Sequence, residues 1–322
     1  MTASAAAGGV AAVTGALGYT GRFITERLVA SGLRVRSLTR WTDRPHPFGD
    51  ALELRPFRFD DADALAASLE GVTTLYNTYW VRFPHGSVSF DGAVANSRAL
   101  FSAARAAGVG RIVHVSITNP SVESPLPYFR GKAQVEAALA VSGVPHSIVR
   151  PTVVFGRGDV LLNNIAWLLR HFPVFAVAGS GRYRVRPVHV ADVARLCVEV
   201  ATEHDAVIDA VGPETFTFTE MVSAIRDAVG SQARLVHVPP PVVPALGRLI
   251  GQLVRDVTLT ADELAGMMAG LVTTDGASTG HVALTEWLAL YGAQLGTHYA
   301  NELERHYAAP VTGPRMARTS AG

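Results

Sequence analysis

The chain has 322 residues, a formal net charge of +1, 48% hydrophobic and 17% charged residues. That length can bury a large core and points to two lobes, and the near-neutral charge, with no Lys/Arg tract interleaved with aromatics, argues against a nucleic-acid partner. The single cysteine, Cys197, excludes an internal disulfide and points to a reducing, cytoplasmic setting in which it is a small core residue.

The first residues, 1–7, are small and uncharged, without a basic or long apolar stretch. They are expected to be a disordered leader rather than a signal peptide, and 310–322 a disordered tail. Val10–Val13 then predicts a buried strand that breaks at Gly15, turns through Gly18 and enters a helix at Gly21. Ile24, Leu28 and Ser31 share one face of that helix, and Gly32 stops it. The spacing is G-x-x-G-x-x-G, and each glycine has a physical job. Gly15 permits the tight turn, Gly18 lets backbone N–H groups approach an anion, and Gly21 lets the helix pack on the strand. A dinucleotide pyrophosphate there would meet unpaired donors and the positive end of the helix dipole. Gly15, Gly18, Tyr19, Thr20 and Gly21 are therefore candidate cofactor contacts.

Arg34–Arg40 alternates as a second strand. Its end is where a dinucleotide fold reads the adenosine ribose, and Arg40 stands there with no carboxylate beside it; Asp43 comes three residues later. A cation suits a 2′-phosphate, and Arg22 is within the same reach, so NADP(H) is favoured over NAD(H). A solvated arginine is the alternative. Leu52–Phe59 predicts a third strand, followed by Asp60 and Asp61. One of these caps a helix at 64–69, and the other is available to the adenine amine. Thr73–Asn77 is the fourth strand. It runs into Tyr79, Trp80 and Phe83, aromatics at a strand's carboxyl end that either wall a substrate or pack the loop.

A helix over Asp91–Gly108, a strand over Arg111–Ser116, a Ser/Pro-rich loop, a helix over Tyr128–Ser142 and a strand over Pro145–Arg150 closed by Pro151 complete the first half. Strands alternating with helices call for an α/β, doubly wound parallel sheet covered on both faces. The second half is less regular. Helices are expected near 159–172, 219–229, 243–254 and 260–269, and the run Val188–Ala194 leads into another with Asp192 near its start; short strands are expected at 206–210 and 235–238 and a turn at Gly179-Ser180-Gly181. The apolar stretch Val242–Val254 is interrupted by Pro244, Gly247 and Arg248 and is too short to span a bilayer. It is either a buried helix or a membrane-surface one.

The chemical constellation is Ser116, Tyr128 and Lys132. Tyr128 and Lys132 stand i, i+4 on one helix face, and Ser116 ends the preceding strand twelve residues before Tyr128. Reducing a carbonyl needs a proton donor for the developing alkoxide, which a phenol can supply, and an ammonium nearby would lower its pKa. A serine hydroxyl would orient the carbonyl oxygen. The histidines form no H-x-x-x-H or H-E-x-x-H arrangement, so no metal is expected.

With these pieces the chain resembles the short-chain dehydrogenase/reductase superfamily, in its extended and atypical branches. The matching residues are TGALGYTG at 14–21, Asn77, Ser116, Tyr128-Phe129-Arg130-Gly131-Lys132, Arg150-Pro151 and His189-Val190-Ala191-Asp192-Val193-Ala194. It looks most like the NAD-dependent epimerase/dehydratase group, and closer still to the subgroup of the NADPH-binding accessory subunit of complex I. The resemblance spans about Val10 to Tyr307. It implies a Rossmann-like cofactor domain (8–157 plus about 186–212) and a smaller, mostly helical substrate lobe (158–185 plus about 213–309), with the active site between them. Asn77, Pro151 and Val153 join the expected cofactor contacts, and Phe155 joins Tyr79, Trp80 and Phe83 in the expected substrate pocket.

Three functions stay open. One is an NADPH-dependent oxidoreductase on a small or medium carbonyl or alcohol. A second is an NAD-dependent nucleotide-sugar epimerase or dehydratase, with Arg182, Arg184, Arg186, Arg234 and Arg248 available to a diphosphate. The third is a non-catalytic NADPH-binding scaffold or redox sensor. The expected partners are a small-molecule substrate and a second copy of the chain, with no nucleic acid and no integral membrane segment.

Overall fold

The computed structural model describes residues 9–203 and 205–306; the two expected disordered termini lie outside the described residues. The opening run forms β1 (Val10–Thr14), and α1 (Tyr19–Ala30) follows from a turn of four residues. The chain continues through β2 (Arg34–Thr39), β3 (Leu52–Pro56), α2 (Ala62–Ala67), β4 (Val72–Asn77), α3 (Phe90–Ala106), β5 (Arg111–Val115), α4 (Pro127–Ala140) and β6 (His146–Pro151). It then enters β7 (Val154–Phe155), α5 (Leu161–His171), β8 (Val174–Ala178), β9 (Arg184–Val185), β10 (Val188–His189), α6 (Val190–Glu199) and β11 (Val207–Ala210). The last part is β12 (Phe216–Thr217), α7 (Phe218–Ala228), β13 (Arg234–Val238), α8 (Val242–Val254), α9 (Ala261–Met268), α10 (Leu284–Tyr291) and α11 (Glu302–His306).

Among the described residues, seven strands form one sheet in the order β11-β6-β5-β4-β1-β2-β3, every neighbouring pair parallel. This is the doubly wound, Rossmann-like sheet. The chain moves outward from β1 through β2 and β3, then crosses back to β4 on the other side of β1. The reversal opens a crevice over the carboxyl ends of β1 and β4. Ile24, Leu28, Val193 and Cys197 pack on one face of the sheet, and Leu65, Leu100, Phe101, Val135 and Leu139 on the other. Cys197 is fully buried, and its thiol is pushed up to about 12 by that burial, as suits an inert core residue. A third apolar cluster, from Phe155, Leu162, Ile165, Phe175, Met221, Ile225, Leu264 and Trp287, gathers the remaining helices.

The departures from the sequence expectations have local causes. Asp61 caps α2 by accepting from the Ala64 N–H at 2.9 Å, so the helix starts two residues before the expected Ala64. Pro127 starts α4, its fixed φ and absent N–H fitting the first helical turn. Strand β8 and helices α10 and α11 were not expected. β8 pairs with β13, sixty residues away by register (Val174 with Arg234), which no local pattern announces.

At the turn, Gly15 adopts φ +66, and a Cβ on Gly21 would strike the Gly15 carbonyl. Gly21→Ala should therefore lower stability by about 1–3 kcal/mol, seen as a lower urea midpoint at unchanged slope. An unchanged midpoint would show that the turn yields without cost.

Candidate active site

The crevice floor is a hydrogen-bonded knot between the ends of β1 and β4. Thr14 Oγ1 donates to Asn77 Oδ1 at 3.1 Å and accepts from the Thr78 N–H at 2.7 Å, while Thr78 Oγ1 donates to the Thr14 carbonyl at 2.6 Å. Asn77 Oδ1 also accepts from the Tyr79 N–H, and its Nδ2 donates to His114 Nδ1 at 3.1 Å. Asn77 is fully buried in this knot, which fixes the strand ends around the turn. His114, also fully buried, is held well below its ordinary pKa by burial and by the Lys132 charge.

The turn itself fits an anion. Gly18 caps α1 without a side-chain hydrogen bond, and no carboxylate stands in the first turn, where Tyr19 and Thr20 lie. A Cβ on Gly21 would strike the Gly15 carbonyl, so only glycine there lets the turn cradle the start of the helix this closely. Tyr19 turns its hydroxyl inward, buried and without a partner, and burial raises its phenol with help from the Asp159 charge. Asp159 was not anticipated. It is buried behind the turn, Oδ1 accepting from the Leu162 N–H at 2.7 Å, and burial pushes its carboxyl up to about 7. Arg22 points outward and pairs with Glu26 on its own helix at 2.7 Å. Arg40 is exposed just past β2, and its charge acts on Tyr79. Asp60 is exposed and pairs with Arg58, while Asp61 is occupied as the α2 cap.

The Ser116, Tyr128 and Lys132 corner comes from β5 and α4. The Lys132 Nζ donates to the Val115 carbonyl at 3.0 Å, one residue before Ser116, whose buried Oγ has no partner. Burial pulls the Lys132 ammonium down to about 7, against the pull of Glu136. Its Nζ sits 4.9 Å from the Trp80 ring centre, a cation–π contact. Tyr128 meets the same indole edge-on at 5.9 Å and Phe90 at 5.8 Å. Trp80 thus touches both members of the pair, with its Nε1 buried and unpartnered and its ring seated against Gly131 between them.

One electrostatic expectation is corrected. Lys132 was expected to lower the Tyr128 phenol, but the phenol is raised, chiefly by burial and then by Glu263, with Arg82 opposing. The lysine is turned to the strand carbonyl, and the charges acting on the phenol are those of Glu263 and Arg82. Arg82, from the loop after β4, makes an ion pair with Glu263 of α9 at 2.6 Å, approaches Glu302 at 3.8 Å and donates to the Thr258 carbonyl at 3.2 Å. The sequence reading did not single out Arg82 or Glu263. The T-x-x-E signal at Thr260–Glu263 marks the capping box that the structure contains, but a partner 181 residues away has no local signal.

Of the aromatic wall, only Trp80 reaches the pair. The Tyr79 ring packs on Phe57 and Phe59 while its hydroxyl accepts from Asn96 at 2.8 Å. Phe83 is buried beneath the Arg82 guanidinium. Phe155 is 0% exposed, wedged against His189 and Trp287 in the third cluster, so it is a core residue here and not part of an open pocket. Pro151 and Val153 are buried at the end of β6, where Thr152 donates to the Arg186 carbonyl at 2.5 Å. Arg184 pairs with Asp275 and Arg186 holds the carbonyls of Thr274 and Gly276, so both secure a loop. Among the described residues, no helix is long and apolar enough to cross a membrane.

Known proteins share this architecture. A family model described as NAD(P)H-binding matches residues 15–204. Ceramide reductase of Caulobacter vibrioides is 32% identical over 252 residues, covering 75% of this chain and 77% of that protein. The mitochondrial NADH dehydrogenase (ubiquinone) 1 alpha subcomplex subunit 9 of Arabidopsis thaliana is 28% identical over 256 residues, covering 76% of this chain. The match spans 63% of that relative, less than two thirds of its length. The solved structure of an Escherichia coli NADPH-dependent quinone oxidoreductase complexed with NADPH superposes with a TM-score of 0.72 at 22% identity, over 87% of this chain and 99% of that one. The chain therefore belongs to the NAD(P)H-binding family, and its relatives fit an extended branch of the short-chain dehydrogenase/reductase type.

Proposed function

We propose that the protein is an NADPH-dependent oxidoreductase that interconverts a carbonyl and an alcohol, with Ser116, Tyr128 and Lys132 as its catalytic residues. The observation that carries this reading is the corner where the Lys132 ammonium bonds the last carbonyl of β5 beside the orphaned Ser116 hydroxyl, one helical turn from Tyr128. A buried hydroxyl without a partner costs stability unless a ligand satisfies it, and a carbonyl oxygen does so.

The glycine cradle and the free N-terminus of α1 fit the pyrophosphate of a nicotinamide dinucleotide, and Arg40 suits a 2′-phosphate. When bound, that cofactor supplies or accepts the hydride. Ser116 Oγ would donate to the substrate oxygen and orient it. Tyr128, held protonated by its raised pKa, would deliver the proton to the developing alkoxide. Lys132, pulled to about 7 by burial, would hold its charge beside an anionic phenolate. Trp80 excludes water from the pair and must yield some ground for a substrate to touch both groups.

A second reading, the non-catalytic cofactor-binding scaffold, is favoured by the same indole, because Trp80 packs the phenol and the ammonium as a closed cluster. The two readings separate cleanly. Tyr128→Phe should lower NADPH-dependent turnover on a carbonyl panel by at least about a hundredfold while NADPH affinity stays unchanged. Wild type that binds NADPH and turns over nothing on that panel returns the scaffold reading.

Cofactor choice has its own test. Arg40→Ala should weaken NADPH about tenfold and leave NADH unchanged, read by fluorescence titration. Equal weakening of both cofactors would remove Arg40 from phosphate recognition.

A further inference from the structure

A surface helix in a globular protein ordinarily turns its large apolar side chains inward and its polar ones outward. Helix α8 departs from this by carrying a second apolar stripe on its outer side. Its inner side is Pro244, Gly247 and Gly251: a Cβ on Gly247 would press on Thr258 Oγ1 at 2.9 Å, and one on Gly251 would strike the Asp256 carbonyl. Its outer side is Val242, Leu246, Leu249 and Leu253, spaced i, i+4, i+7, i+11, with Leu249 63% and Leu253 73% exposed. Val243 packs against the third apolar cluster and Ile250 and Val254 are half-buried, so the helix already has an inward apolar edge and the four outer side chains are surplus to it. Such a contiguous stripe marks an interaction surface.

We propose that α8 is a membrane-surface helix that lies in the headgroup region of an anionic lipid bilayer, its leucine stripe among the acyl chains and its arginines at the phosphates. Charge and length select this occupant. The helix carries no carboxylate; its one charged side chain is Arg248, and Arg255 caps its carboxyl end, both exposed. The nearest acid, Asp256, is buried and turned inward, where it accepts from Tyr299 at 3.0 Å and from the Glu302 and Leu303 N–H groups. Thirteen residues make about 20 Å of helix, too short to cross about 30 Å of hydrocarbon, so it lies flat. A second copy is a poor match. A two-fold contact would bury the stripe but leave Arg248 and Arg255 facing a helix with no acid, whereas lipid phosphates answer both.

The test is co-sedimentation of the full chain with vesicles of phosphatidylcholine alone and of phosphatidylcholine and phosphatidylglycerol in equal parts. Wild type should partition at least about tenfold better onto the anionic vesicles, Arg248→Glu should erase part of that preference, and Leu249→Glu/Leu253→Glu should lose at least about tenfold of the binding. Both leucines are exposed, so the double variant should keep its circular dichroism and NADPH affinity, which makes its loss of binding specific. Wild type that stays in solution with anionic vesicles, or a double variant that sediments like wild type, overturns the proposal. So does a wild-type dimer on gel filtration that the double variant converts to monomer, because the stripe would then belong to a second copy.

Discussion

The approach of Gly21 to the Gly15 carbonyl is the constraint on which the site depends. It seats the start of α1 directly over the end of β1, so the helix's free donors point into the crevice instead of over the sheet edge. The Thr14, Asn77 and Thr78 bonds then fix β4 against β1 at the same height. The crevice floor is thus made of hydrogen-bonded backbone and a buried amide, and Asn77 extends the bonding to His114 on β5, the strand that leads into Ser116. The proposed chemistry would need that spacing held, because its groups lie on elements far apart in sequence.

Two cations near this corner, Arg82 half-buried and Lys132 buried, solve the same problem differently. Arg82 has two carboxylates and a carbonyl within reach, and their attraction outweighs its desolvation, so its pKa stays raised. Lys132 has one carbonyl, one aromatic face and the more distant Glu136, and desolvation wins. The first is a structural tie between the loop after β4 and helices α9 and α11. The second is poised near neutrality, which is the condition for a group whose charge must respond to what binds beside it.

The parts of the fold legible from sequence are those set by the backbone. The glycine spacing announces the first βα unit because only glycine tolerates the turn and the contact at those positions. Strands such as Val72–Asn77 and Arg111–Val115 are recognisable because central parallel strands are apolar runs between turn signals. Leu52–Phe59 is expected to be a strand to its end, but β3 closes at Pro56 on the sheet edge, with one further bond from the Phe57 N–H to the Thr39 carbonyl at 2.9 Å. The site was legible only as residue types. That Tyr128 and Lys132 share a helix face follows from i, i+4 spacing. That Trp80 touches both, and that Arg82 reaches α9, depends on how a loop packs against helices that the second half of the chain supplies. The inward turn of Tyr19, the core position of Phe155 and the commitment of Arg184 and Arg186 to the 274–276 loop are tertiary facts of the same kind.

Close glycine packing appears at two places in this molecule with opposite consequences. At Gly21 a missing side chain brings backbone to backbone and leaves amide donors free to meet an anion. At Gly247 and Gly251 it brings a whole helix against the Asp256–Leu259 segment and leaves leucines free to meet something apolar. The segment that receives α8 leads straight into α9, whose Glu263 holds Arg82 beside Tyr128. The helix that faces outward and the corner that faces inward are therefore joined by a few rigidly bonded residues.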